Sequence, residues 1–335
     1  MPAERASVGR PLGVAAAALR ALCPALALGL LLVGGSGCSA KRAALNTLGD
    51  ALAGSGTTFS ADDDPELVKA AVPFSLKLME ALLAETPEHR GLLTAAAGGF
   101  SQYAYAFVQQ EADELRSTDL ARSRELQKRA KRLYLRARDY GRRGLVTRRQ
   151  DFAQALEADP RAAVAGFTAA DVPLLYWTAA AWVGAITADK TDAQLIGDLP
   201  KVDAMLERAL ALDESFDHGA LQALMIAYET VRQGVEGDPY ARAEQRFRRA
   251  LELSGGKLAG PYVSLAESVC IPTENRERFV QLLGAALAID PDTAPTSRLA
   301  NLIMQDRARW LNAHVDDYFL PPVDETPQGG APESR

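Results

Sequence analysis

The sequence predicts an all-α fold, an irregular array of helical hairpins. Three observations carry that expectation. From residue 65 to 320, apolar residues return at intervals of three and four, the period of a helix. No sustained alternation and no hairpin dipeptide marks a strand. One phrase also recurs at helix ends: Ala155-Leu156-Glu157-Ala158-Asp159-Pro160, Ala209-Leu210-Ala211-Leu212-Asp213-Glu214, Ala250-Leu251-Glu252-Leu253-Ser254-Gly255 and Ala286-Leu287-Ala288-Ile289-Asp290-Pro291.

The elements follow in order. Residues 1–37 read as a secretory leader. Arg5, Arg10 and Arg20 give a basic start, and Ala21–Val33 is an apolar run too short to span a bilayer. Gly34-Gly35-Ser36-Gly37-Cys38 then resembles the lipobox of bacterial lipoproteins, with Gly35 where that motif has Leu or Val. The resemblance implies cleavage before Cys38, lipidation of its thiol and an anchor in a membrane. Ser39 supplies no retention aspartate, which leans towards the outer membrane. Residues 38–64 are poor in bulky apolar side chains and read as a tether, with a helical turn at 43–53. Asp62-Asp63-Asp64 lacks calcium-loop spacing. Asp64 is instead an expected N-cap, with Pro65 at the first helical position.

A helix from Pro65 to Ala84 follows, its apolar side expected at Leu67, Ala71, Phe74, Leu78 and Leu82. Pro73 should kink or divide it. Further helices are expected near 90–115, 119–147, 151–158, 171–188, 199–212, 217–232, 239–254, 260–270, 274–289 and 296–318. Asp-Pro and Gly pairs between them stop one helix and start the next. The tail 321–335 is expected to be disordered.

The recurring phrase resembles the second helix of a tetratricopeptide (TPR) repeat. Ala243, Phe247 and Ala250 fit its small–large–small spacing, with Gly255 in place of the closing proline. The implied architecture is a degenerate TPR-like helical-hairpin solenoid over residues 65–320. Such stacks leave a concave surface that binds proteins or peptides.

Chemistry is sparse. The net charge of −6 argues against general nucleic-acid binding. His89, His218 and His314 lie far apart, next to turns or helix ends, and no paired-His or CxxC spacing exists, so no metal is expected. No phosphate loop, dinucleotide fingerprint or nucleophile elbow occurs. No cofactor and no catalytic set follow, although an uncharacterised hydrolase with carboxylates paired across the array stays open. Cys270, alone once Cys23 leaves and Cys38 is acylated, reads as a small buried hydrophobe.

Two aromatic stretches are the binding candidates. In Phe100–Glu114, four aromatics fall within eight residues and polar groups follow. On a helix, Phe100, Tyr103, Phe107, Gln110 and Glu114 share a face, with Tyr105 on a neighbouring one. In Asp171–Trp182, Asp171 can cap a helix carrying Tyr176, Trp177 and Trp182. Both stretches fit buried packing helices. Both also fit facing walls of an apolar cavity, with Gln110 and Glu111 at its polar end. A third unusual segment, Arg116–Arg149, is strongly basic. It reads either as a solvated outer face or as a docking surface for an acidic protein or anionic lipid near the anchor.

Gln102–Glu114, Asp171–Trp182, Tyr262–Glu267 and Arg298–Leu302 together resemble the TatT family, the T components associated with some TRAP transporters. The resemblance runs from about Cys38 to Leu320. It implies a periplasmic, lipid-anchored, non-enzymatic accessory protein. Such a protein would form homo-oligomers, associate with the substrate-binding P component and handle apolar ligands or organic acids with apolar parts. A general TPR-like scaffold of cell-envelope assembly is the alternative.

Overall fold

The computed structural model describes residues 41–54 and 56–320. The leader, Cys38 and the tail from 321 lie outside them. Among the described residues the secondary structure is helical and holds no strand. Helix α1 covers 41–53 and α2 covers Gly56–Ser60. Helix α3 is Pro65–Glu85. Helix α4 (Arg90–Ala104) runs through a π-turn at Tyr105–Gln109 into α5 (Gln110–Glu114). The long α6 is Leu120–Arg148, followed by α7 (Phe152–Ala158) and α8 (Pro160–Val164). Helices α9 (Val172–Ala188), α10 (Ala193–Gly197) and α11 (Leu199–Leu212) come next. Then follow α12 (Phe216–Glu229), α13 (Pro239–Ser254) and α14 (Gly260–Leu265), the last leading into a second π-turn at Ala266–Cys270. Helices α15 (Arg276–Leu287) and α16 (Arg298–Ala313) close the array.

The predicted boundaries match these closely because local chemistry fixes most of them. Asp64, Asp119, Asp159, Asp192 and Asp238 each accept backbone N–H groups at a helix start. Asp171 departs from expectation: it caps no α9 donor. Its buried carboxylate takes the Thr168 N–H and hydroxyl, at 2.7 and 3.0 Å, and pairs with Arg90. Burial opposes its ionisation, but these partners hold its pKa below the usual carboxylate range.

Three expectations are corrected. Pro73 does not divide α3, which runs unbroken from Pro65 to Glu85 and buries Leu76, Met79, Leu82 and Leu83 beyond the proline. The buried stripe of α3 is Val68, Leu76, Met79, Leu82 and Leu83, while Leu67 is 58% and Phe74 74% exposed. The reason lies on α4, where Gly99 leaves a notch that Leu76 fills; a Cβ there would meet Leu76 Cδ2 at 2.8 Å. Residues 41–53, expected as part of a tether, are a packed helix. Leu45 and Leu52 lie on the core, and Lys41 pairs with Glu85 at 2.8 Å.

Two cores share α12. The first lies among α3–α12, with α9 at its centre, packed on α4, α6 and α11. By length and composition Ala169–Ala188 could cross a membrane, but here it is core. The second core gathers α13–α16 around Phe279, Leu283 and Leu311. Helix α12 supplies Leu221, Met225 and Tyr228 to the first core and Ile226 to the second. The two ends of the array also meet, since Arg298 of α16 donates to the Ala61 carbonyl at 3.2 Å.

Candidate functional site

Tyr105 and Gln110 bound the first π-turn, whose closing bond runs from the Gln110 N–H to the Tyr105 carbonyl. In a regular α-helix, side chains five residues apart point about 140° from each other. The widened π-turn removes that divergence. Both side chains reach Met304 of α16: the Tyr105 hydroxyl donates to its sulfur at 3.7 Å and the Gln110 amide at 4.0 Å. Single π-turns inside helices are frequent at functional sites. Here one brings two polar groups against the far end of the chain.

Tyr105 is 39% exposed, yet burial pushes its hydroxyl well above the usual tyrosine range. Both hold for a side chain that solvent touches in part while protein surrounds its hydroxyl. Glu267 comes from the second π-turn and Arg307 from α16. Arg307 Nε donates to Glu267 Oε1 at 3.1 Å and Nη2 to the same oxygen at 2.6 Å. Its guanidinium carbon lies 4.9 Å from the Trp310 ring centroid. Burial, reinforced by Asp113, raises Glu267, against the pull of Arg307. Arg307 is 5% exposed, and its Nη1 is buried without a hydrogen-bond partner.

These contacts leave three donors under-used. Among the described residues the Tyr105 hydroxyl donates to a thioether, a weak acceptor, the Gln110 amide is shared between that sulfur and the Tyr105 oxygen, and Arg307 Nη1 has no partner. Such a group of donors suits a molecule that brings an acceptor oxygen. Below it, the Tyr134 hydroxyl donates to Gln109 Oε1 at 2.6 Å and fixes the π-turn from α6.

The remaining candidates divide. Phe100 is buried, stacked on Tyr140 at 5.9 Å, with Arg136 over its ring. Tyr103 is buried against Phe107, 5.6 Å between centroids. Glu111 lies 3.8 Å from Lys69 of α3. Tyr176, half-buried, forms a second aromatic group with Trp177 and Phe216, at 4.7 and 5.4 Å. Burial, then the nearby Asp217, raises its hydroxyl pKa well above the usual range. Trp177 packs over Gly98 of α4, so the two aromatic helices do face each other, by direct packing. Trp182 is fully buried beneath Arg138, Arg142 and Lys201. Tyr105 and Gln110 are therefore drawn together, while Phe100, Tyr103 and Trp182 lie inside helix packing. Met304, Arg307 and Gln109 were not foreseen; Glu267 closes one of the signature stretches.

Other chemistry is quiet. Among the described residues no group of three or more His, Cys, Asp or Glu could hold a metal ion. Cys270 is buried and free, and burial pushes its thiol up to about 11.

A family profile described as TRAP transporter T-component matches residues 61–319. The chain belongs to that family. An uncharacterized protein of Treponema pallidum (strain Nichols) is 32% identical to it over 320 residues, covering 90% of this chain and 98% of the relative. The T-component family is one of transporter accessory proteins, not of enzymes, and the chain is accordingly an accessory component of a TRAP transporter.

Proposed function

We propose that this T component is a lipid-anchored periplasmic protein without catalytic activity. It docks the substrate-binding P component and gives passage to an apolar ligand whose polar end carries an acceptor oxygen, such as an organic acid. The TPR-like reading of residues 65–320 supports protein docking. The observation that carries the ligand reading is the donor group formed by Tyr105, Gln110 and Arg307 Nη1 around Met304. The apolar part of the ligand would lie along Phe107, beside Tyr105.

Decanoate, titrated by displacement of an apolar fluorescent dye, tests it. Tyr105→Phe with Gln110→Leu keeps shape and removes two donors. Affinity should fall about tenfold or more, since each lost bond is worth roughly 1 kcal/mol. Equal affinity in the folded double variant would remove this site from the ligand path. Capture of the P component by the immobilised chain tests docking separately.

A homo-oligomer is part of the same proposal. Leu67 and Phe74, two turns apart on one face of α3, are exposed apolar side chains that a second copy would cover. Phe74→Glu should shift sedimentation towards the monomer without loss of helicity. An unchanged distribution would place the contact elsewhere.

A further inference from the structure

We infer that the outer face of α6 is a membrane-seating surface that lies on anionic phospholipid headgroups. Ser123, Leu126, Ala130, Tyr134, Ala137, Gly141, Gly144 and Leu145 face inward. The opposite face holds Arg124, Lys128, Arg132, Arg136 and Arg143, all exposed. Their spacing puts them on one ridge, about 28 Å long at 1.5 Å per residue. Arg124, Lys128 and Arg132 have no carboxylate partner among the described residues. Glu125, paired with Arg122, and Asp139, paired with Arg138, interrupt the ridge, and Glu80 of α3 lies 3.3 Å from Arg136. In a chain of net charge −6, this still concentrates positive charge on one broad face of α6, about 120° wide.

Two concavities open on this face. One of about 390 Å³ is lined by Arg132, Arg136 and Arg143, by Leu135 and Tyr140, and by Asp139, which pairs with Arg138. The next, about 510 Å³, shares Asp139 and Arg143 with it and continues past Arg142 and Val146 to Pro87 and Glu88. Across both, four arginines stand against two carboxylates, and guanidinium groups beside Leu135, Tyr140 and Val146 suit a phosphodiester with the start of its acyl chains.

Geometry favours a lipid surface over an acidic protein. The described chain begins at Lys41, whose ammonium binds Glu85, and Arg143 donates to the Pro87 carbonyl at 3.1 Å. The N-terminal end of the body thus adjoins the C-terminal end of the ridge. Three residues of chain reach no more than about 11 Å, so an acyl group on Cys38 would hold this end close to the bilayer. The broad basic face of one helix then meets a flat surface along its length. The inference borrows only the anchor from the proposed function and is independent of the ligand path.

The test uses the full chain with Cys38→Ser, so that no acyl group contributes, and co-sedimentation with vesicles. Phosphatidylglycerol mixed with phosphatidylethanolamine should retain the protein at about 50 mM salt and release it near 300 mM; phosphatidylcholine alone should not retain it. Arg124→Glu, Lys128→Glu and Arg132→Glu together should weaken retention by about tenfold or more. A charge-matched control, Lys190→Glu with Arg248→Glu and Lys257→Glu, should keep it. Absence of binding to phosphatidylglycerol, or equal loss in both triple variants, overturns the inference. So does a ridge variant that still binds vesicles but loses P-component capture, which would make this face a protein dock. Should the ridge variant not fold, the lipid and salt comparisons on the otherwise unsubstituted chain decide.

Discussion

Gly141→Ala lowers stability by about 2–3 kcal/mol, although alanine is the better helix former by roughly 1 kcal/mol. The expectation comes from how α6 meets α9. A Cβ on Gly141 would fall inside the radius of Thr178 Oγ1 and lie 3.0 Å from Thr178 Cβ. One turn on, a Cβ on Gly144 would meet Leu174 Cδ2 at 2.5 Å. Thr178 is not free to turn away, because its hydroxyl donates to the Leu174 carbonyl at 2.5 Å. The backbones themselves must separate, and that strains the packing around Trp182 and Tyr134. Gly284→Ala is the matched control: it sits in α15, exposed, with nothing within 4 Å of the added Cβ. It should stabilise by about 0.5–1 kcal/mol. Urea midpoints of the two variants should therefore move in opposite directions. Gly141→Ala at or above the unsubstituted midpoint would mean that the α6–α9 contact is not close. The functional consequence runs through Tyr134, which sits on the same interface and holds Gln109 in the π-turn.

That interface also shows what the sequence makes legible and what it conceals. The α6 and α9 boundaries are readable because Asp119 and Pro173 mark their starts and apolar spacing marks their inner faces. The small residues of α6 predict close approach in kind, but the partner positions are a tertiary fact. On α3 two apolar stripes compete, and periodicity alone does not choose between them; the Gly99 notch does. The Tyr105–Met304 group was half legible. Tyr105 and Gln110 belong to an unusual run, yet a regular helix would aim them apart. The π-turn that unites them leaves no period to read. Met304 and Arg307 stand 199 residues or more beyond Tyr105 in the chain, and nothing local in α16 marks them as its partners. The left-handed run Asp217–His218–Gly219 inside α12 was likewise invisible: aspartate and glycine tolerate such backbone singly, but nothing local signals three such residues in succession.

The largest loss is expected at a residue that motif reading passed over. Glu229 ends α12 and is 0% exposed. Its carboxylate takes Arg242 Nε at 2.9 Å and Arg246 Nη2 at 2.9 Å, with Arg232 Nη1 at 3.6 Å. Arg232 in turn binds Asp203 at 2.7 Å and Glu207, so the network ties α11, α12 and α13 together. Removing one member of a buried charged group strands the others without a counter-charge. Glu229→Ala should cost about 3–5 kcal/mol on that ground. Glu229→Gln should cost less, because its amide oxygen still accepts one guanidinium. Since α12 serves both cores, the loss should not be uniform. Amide exchange should accelerate first in α13, which packs on α12 and brings Ala243 and Phe247 to the second core, then in α16 of the same core, and later in α4 and α6. A double-mutant cycle with Arg242→Ala separates the pair from its surroundings. A loss below about 1 kcal/mol in Glu229→Ala would show that the network is solvated in practice. Exchange that rises equally everywhere would show that the two cores unfold as one. If the staged order holds, the Tyr105–Met304 contact spans the boundary between the two cores, with Gln110 on the firmer side and Met304, Glu267 and Arg307 on the side that opens first.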